Sequence, residues 1–88
     1  MAWKIEFAAS AEKKLAKMDK AVIRRILSFL YERVAKADNP RSLGKALKGP
    51  QGDFWKYHVG DYRVVCDIQD REIMILVVRV RHLSKVYR

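Results

Sequence analysis

Cysteine is nearly missing from this chain. Cys66 is the only one in 88 residues, which excludes an internal disulfide framework and a cysteine-rich zinc site. Proline and glycine are scarce too, at two and four. Both prolines and three of the glycines crowd into 38–53, so chain-breaking chemistry is concentrated in one place. No apolar run approaches the ~20 residues of a membrane-spanning helix; the longest late run, IMILVV at 73–78, has strand length. The N-terminal MAWKIEFAAS lacks the basic-then-apolar layout of a secretory signal, and a cytoplasmic location is expected. Acidic residues are outnumbered, ten against nineteen Lys and Arg, leaving a formal charge of +9. Such a field attracts polyanions, with nucleic acid the leading class and an acidic protein drawn by the same force. The basic residues are spread along the chain instead of lining one amphipathic helix, which argues against a membrane partner.

What is present is a half-hydrophobic chain, enough for one small domain over residues 1–88 with a thin core. AWKIEFA (2–8) alternates Trp3, Ile5 and Phe7 with charged residues, the period of a half-buried strand. Ser10 is placed to cap a first helix carrying Ala11, Leu15 and Met18. Asp19 is placed to cap a second, from Lys20 to about Ala37, with Ile23, Ile26, Leu27, Leu30 and Val34 on one stripe. Residues 38–53 read as a loop, with at most a short turn around Leu43 to Leu47. FWKYHV (54–59) and YRVVCDIQ (62–69) flank Gly60-Asp61, a tight-turn spacing, and EIMILVVRV (72–80) follows. Apolar on both faces, that last strand is expected inside the sheet. The fold class is α+β: an N-terminal strand, a two-helix hairpin, then a three-stranded antiparallel meander, with helices on one face.

Strict alternation places Lys56 and His58 on one face of their strand, and Arg63, Val65 and Asp67 on one face of the next. In the last strand it groups Arg79 and Arg81 with Ile73, Ile75 and Val77. If Lys56, His58, Arg63 and Arg81 share a face, they form a concentrated cationic surface. Such a surface suits cleavage of RNA by its own 2′-hydroxyl, which needs a proton acceptor, a proton donor and cations around the phosphate. Histidine can exchange protons near neutrality, and Tyr87 could add a hydroxyl. Each of these residues alone reads equally well as a solvated surface side chain, and Cys66 reads as inert core. No His/Asp/Glu cluster has metal-ligand spacing, and neither a metal nor any other cofactor is expected.

LKG at 47–49, GDYRVV at 60–65, RHLSKVYR at 81–88 and the order of elements around them resemble the RelE/ParE superfamily of toxins from type II toxin–antitoxin pairs. The resemblance covers nearly the whole chain, and its RelE-like side implies a RelE-like microbial ribonuclease fold. It implies a ribosome-dependent mRNA endonuclease that cuts A-site codons and arrests translation and growth. The implied partners are an acidic antitoxin and the ribosomal A site with its mRNA and 16S rRNA, with DNA reached only through the antitoxin complex. By position, Lys56 and His58 fall at the family's basic pair and Arg63 at the phosphate-orienting arginine. Arg81 falls at a transition-state arginine and Tyr87 at the C-terminal tyrosine. Lys48, His82, Lys85 and Arg88 are the implied substrate-binding side chains. The segment reads RHL where many relatives have GHR, so Arg81 and His82 compete for one position. ParE-type members share the fold and instead inhibit DNA gyrase by protein–protein binding, which is the alternative function.

Overall fold

The computed structural model describes residues 2–49 and 52–83. β1 (Lys4–Phe7) is followed by α1 (Ala9–Ala16) and α2 (Lys20–Ser28). The chain then widens into a π-helical segment, Phe29–Val34, where the Ala35 amide reaches back to the Leu30 carbonyl at 2.8 Å. A 3₁₀ turn (Pro40–Leu43) leads to β2 (Lys45–Gly49), β3 (Gly52–Val59), β4 (Tyr62–Gln69) and β5 (Met74–His82). The sheet order is β1-β5-β4-β3-β2. β1 runs parallel to β5, and the remaining neighbours are antiparallel. β5 is interior, as its two apolar faces require.

The α+β layout is as expected, but the sheet has five strands and the meander four, because part of 38–53 is not loop. KALKG at 45–49 pairs with β3 from Lys45–Lys56 to Gly49–Gly52. Its two lysines and terminal glycine hide the strand in sequence, and the same features suit an edge, where charge discourages further pairing. The short turn lies at Pro40–Leu43, ahead of the expected place. It is pinned to β3 and to the turn after β4: Trp55 Nε1 donates to the Arg41 carbonyl (2.9 Å), Tyr57 Oη donates to the Pro40 carbonyl (2.8 Å), and Arg41 grips Asp70 with both terminal guanidinium nitrogens (3.0 and 2.9 Å). Gly44 then lets β2 approach, since a Cβ there would collide with the Lys56 carbonyl.

Helix ends also differ from expectation. Ala8 occupies the position before α1, and Ser10 Oγ donates to the Val78 carbonyl at 2.9 Å, tying the helix to β5. Asp19 does precede α2, without a side-chain capping bond. Both helices cover one side of the sheet. Ile26, Leu30 and Val34 meet Tyr57, Val64, Cys66, Ile75 and Val77 there, all fully buried. Each large aliphatic group so buried contributes about 1.5–3 kcal/mol. The other side of the sheet carries no helix among the described residues.

Candidate functional site

The registers left open by sequence are set by the turn at Gly60-Asp61, whose glycine has φ +59°. They oppose His58 to Arg63 across β3 and β4, and Arg63 to Arg81 across β4 and β5. The next row runs Lys45, Lys56, Val65, Arg79 across β2, β3, β4 and β5. Directly opposed residues share a face with Cβ atoms about 4.5–5.5 Å apart. Lys56, His58, Arg63 and Arg81 therefore stand together on the helix-free face.

Strict alternation along β5 would have put Arg79 and Arg81 with Ile75 and Val77, and the structure overturns that grouping. Val65 opposes Arg79 while Cys66 opposes Val77, so Val78 is an extra residue on β5. This β-bulge shifts the alternation by one. Ile75, Val77 and Val80 all point into the core, and Arg79 and Arg81 are exposed on the other side. His82 falls on the helix side of the sheet, its ring edge-to-face with Tyr62 at 4.9 Å and 88°. The structure thus brings Arg81, not His82, to Arg63. Lys48 is exposed on edge strand β2. Tyr87, Lys85 and Arg88 lie outside the described residues.

Electrostatically the cationic rows are unfavourable for folding, because like charges opposed across strands destabilise a sheet. The ion pairs among the described residues are Lys4–Glu6, Glu32–Lys36 and Arg41–Asp70, and none touches these rows. Arg63 Nε is buried with no hydrogen-bond partner among the described residues. An unpaired guanidinium N–H in a field of like charge is a site that an anion would complete. The titrating groups that burial perturbs lie on the opposite face. Burial, then neighbouring Asp67, pushes the Cys66 thiol up to about 12, and burial pushes the Tyr57 phenol up. Cys66 is a neutral core residue, as its alternation with Val64 suggested.

A groove of about 640 Å³ adjoins the rows and includes Arg63, Phe54 and Arg79. A smaller hollow of about 260 Å³ flanks the other side at Lys45, Lys56 and His58. Sequence reasoning gave no role to Phe54, Lys45 or Arg79. The available signal for the first was its position two residues before Lys56, on the same face. The face of Arg79 depends on the bulge, which no local pattern announces.

Known proteins agree with this architecture. Toxin RelG of Mycobacterium tuberculosis is 23% identical over 88 residues, covering all of this chain and 99% of the relative. The solved toxin–antitoxin complex RelBE2 from the same organism contains a chain that superposes with a TM-score of 0.83 at 21% identity, over 93% of this chain and 92% of that one. A doubly substituted Escherichia coli toxin RelE in its free state superposes with a TM-score of 0.74 at 28% identity, over 99% of this chain and 92% of that one. The family model described as the ParE toxin of the type II toxin–antitoxin system matches residues 5–87. The chain therefore belongs to the ParE toxin family, and with it to the RelE/ParE superfamily of type II toxin–antitoxin toxins.

Proposed function

We propose that this toxin is a metal-independent endoribonuclease that cuts mRNA in the ribosomal A site. The observation that carries the reading is the row His58, Arg63, Arg81 on a helix-free face, with Arg63 Nε buried and unpaired among the described residues. In the reaction the substrate's 2′-hydroxyl attacks the adjacent phosphorus and the 5′ oxygen departs, leaving a 2′,3′-cyclic phosphate. Lys56 and His58 assist removal of the 2′-hydroxyl proton. Arg63 holds the phosphate, and Arg81 stabilises the charge that grows on it, the kind of contact worth about 100–1,000-fold in rate. Tyr87 stacks on a base or passes a proton to the leaving oxygen. Lys48, Lys85 and Arg88 hold flanking phosphates.

The proposed controlling partner is an acidic antitoxin acting in the cytoplasm, through which alone the toxin reaches DNA. Ile23 and Leu27 of α2 and Tyr31 of the π-helical segment line an outward groove beside Lys20, Arg24 and Glu32, a surface on which two cations to one carboxylate suit an apolar helix with acidic flanks. Primer extension on mRNA bound to purified ribosomes, in chelator, tests the enzymatic reading. Discrete cuts that need both ribosomes and toxin are expected; intact mRNA at saturating toxin would refute it. The family name ParE favours one other reading, inhibition of gyrase by protein contact. A supercoiling assay with purified gyrase decides that alternative.

A further inference from the structure

The helix-free face holds more apolar surface than phosphate chemistry needs. Leu47, Phe54, Val65 and Val78 line the 640 Å³ groove on its apolar side. None of the four belongs to the helix-side core cluster or packs against it, although Val65 is only 6% exposed. Three of them are placed by the strand pairing: Leu47 opposes Phe54 across β2 and β3, and Val78 is the bulge residue. On its charged side the groove has Lys48, Arg63 and Arg79, and no carboxylate lines it among the described residues. An aromatic ring and aliphatic walls beside three cations match a flat, uncharged ring joined to phosphates.

We propose that this groove is a nucleobase subsite, in which one base of the single-stranded substrate stacks on Phe54 while its own phosphate is held by Arg79 and Lys48. The proposal rests on the ribonuclease reading, and it adds a binding residue that reading does not use. Arg63 belongs to both the groove and the cationic row. The bound nucleotide is thus a neighbour of the one cut, and Phe54 influences which sequences are cut. An apolar helix of a protein partner is the competing occupant. Cations set against an aromatic ring, with no carboxylate among the described lining residues, favour RNA, since base stacking on an aromatic is tolerant of sequence and adds to phosphate contacts.

The test compares wild type with Phe54→Ala, Phe54→Leu and Phe54→Trp. The first readout is steady-state cleavage on programmed ribosomes, with cut sites mapped across many mRNAs. Phe54→Ala and Phe54→Leu should raise KM about ten- to a hundred-fold with kcat retained, because a stacking contact acts in substrate and transition state alike. Both should also flatten the cut-site preference, and Phe54→Trp should restore both properties. The second readout needs no cleavage: quenching of a short single-stranded RNA carrying 2-aminopurine and a 2′-deoxy sugar at the cut position. Wild type and Phe54→Trp should quench it, and the other two should not. Because Phe54 lies outside the core cluster, all variants should melt like wild type. Unchanged KM and cut sites in a cleaving wild type would overturn the subsite while leaving the nuclease standing. Quenching without cleavage would keep the subsite and refute the nuclease. If Phe54→Ala instead weakened only capture of the co-expressed antitoxin, the groove would be a protein-docking surface and the proposal would fall.

Discussion

On the helix side of the sheet, Tyr57, Val64, Cys66, Ile75 and Val77 are fully buried, and the one polar group among their side-chain tips, the Tyr57 hydroxyl, donates to Pro40. On the other side, His58 next to Tyr57, Arg63 next to Val64, and Arg81 on β5 face one another, with no carboxylate among the described residues to pair them. The first face satisfies every rule for a stable sheet. The second breaks the rule against opposed like charges and leaves a buried N–H without a partner among the described residues. One polypeptide ladder supports both: its folding energy comes chiefly from one side, and the anion site proposed for the toxin lies on the other. A local violation of folding rules, held in place by a well-packed opposite face, is where function is to be sought.

Exchanging roles between the faces should fail most visibly. Tyr57→Ala removes a fully buried ring and its hydrogen bond, and should cost about 3–5 kcal/mol in urea denaturation, a large part of a small domain's stability. Arg63→Ala should stay within about 0.5 kcal/mol of wild type, since it also removes an unsatisfied N–H, yet lower cleavage at least about 100-fold. A variant that still arrested growth at equal expression would show Arg63 to be ordinary surface.

Adjacent residues offer a finer test. Arg81 and His82 are sequence neighbours on opposite faces. Arg81→Ala should abolish cleavage with little change in melting. His82→Ala should leave cleavage intact and lose about 0.5–1.5 kcal/mol from its contact with Tyr62. The reverse pattern would mean the bulge is misassigned.

The helix face should also be the alkaline-sensitive one. The Cys66 thiol, at about 12 in the fold, sits near 8.5 in an unfolded chain. A raised acid favours the folded state fully below the unfolded value. That contribution is lost as pH rises from about 8.5 towards 12. The urea midpoint should fall between pH 8 and 10, and fall less in Cys66→Ala, with Tyr57 supplying the remainder. Asp70 works in the opposite sense. The hydrogen bonds from Arg41 hold its carboxyl low, so its contribution is present above the ordinary carboxylate range and lost on acidification. Asp70→Asn should shallow the acid limb slightly.

The smallest effect concerns backbone. Ile73 sits at φ +49° in the β4–β5 turn, 37% exposed, an uncomfortable place for a β-branched side chain. Ile73→Gly should relieve that strain and raise stability by about 0.5–1 kcal/mol, read as a Tm increase, without touching either face.

Much of this was legible beforehand for a physical reason: period-2 alternation grouped Lys56 with His58 on one face of its strand and Arg63 with Val65 and Asp67 on one face of the next, while the registers between strands stayed open. The element order and both helices' positions followed from Leu15, Ile26, Leu30 and Val34. What stayed hidden depended on partners distant in sequence. β2 is a strand because β3 is beside it, not because KALKG favours one. Ser10 bonds to β5 instead of its own helix. The orientation of Arg79 and Arg81 hangs on Val78, an insertion relative to a neighbouring strand that a single strand cannot reveal. The two-layer fold was therefore readable, while the composition of its cationic face was only partly so.

The parallel pairing of β1 with β5 sets an order of assembly. Lys4 meets Met74, a closure across most of the chain, whereas β3 and β4 meet across a tight turn. Contacts so distant in sequence form late because loop entropy is lost before they reward it. The β3–β4 hairpin brings His58 and Arg63 together early, but Arg81 arrives only with β5, and β1 has no docking edge until then. On the proposed reading, a nascent or refolding molecule lacks its complete catalytic row for part of its life. In pulsed hydrogen exchange, the amides of β1 should gain protection after those of β3 and β4, and nuclease activity should appear no earlier than protection of β5.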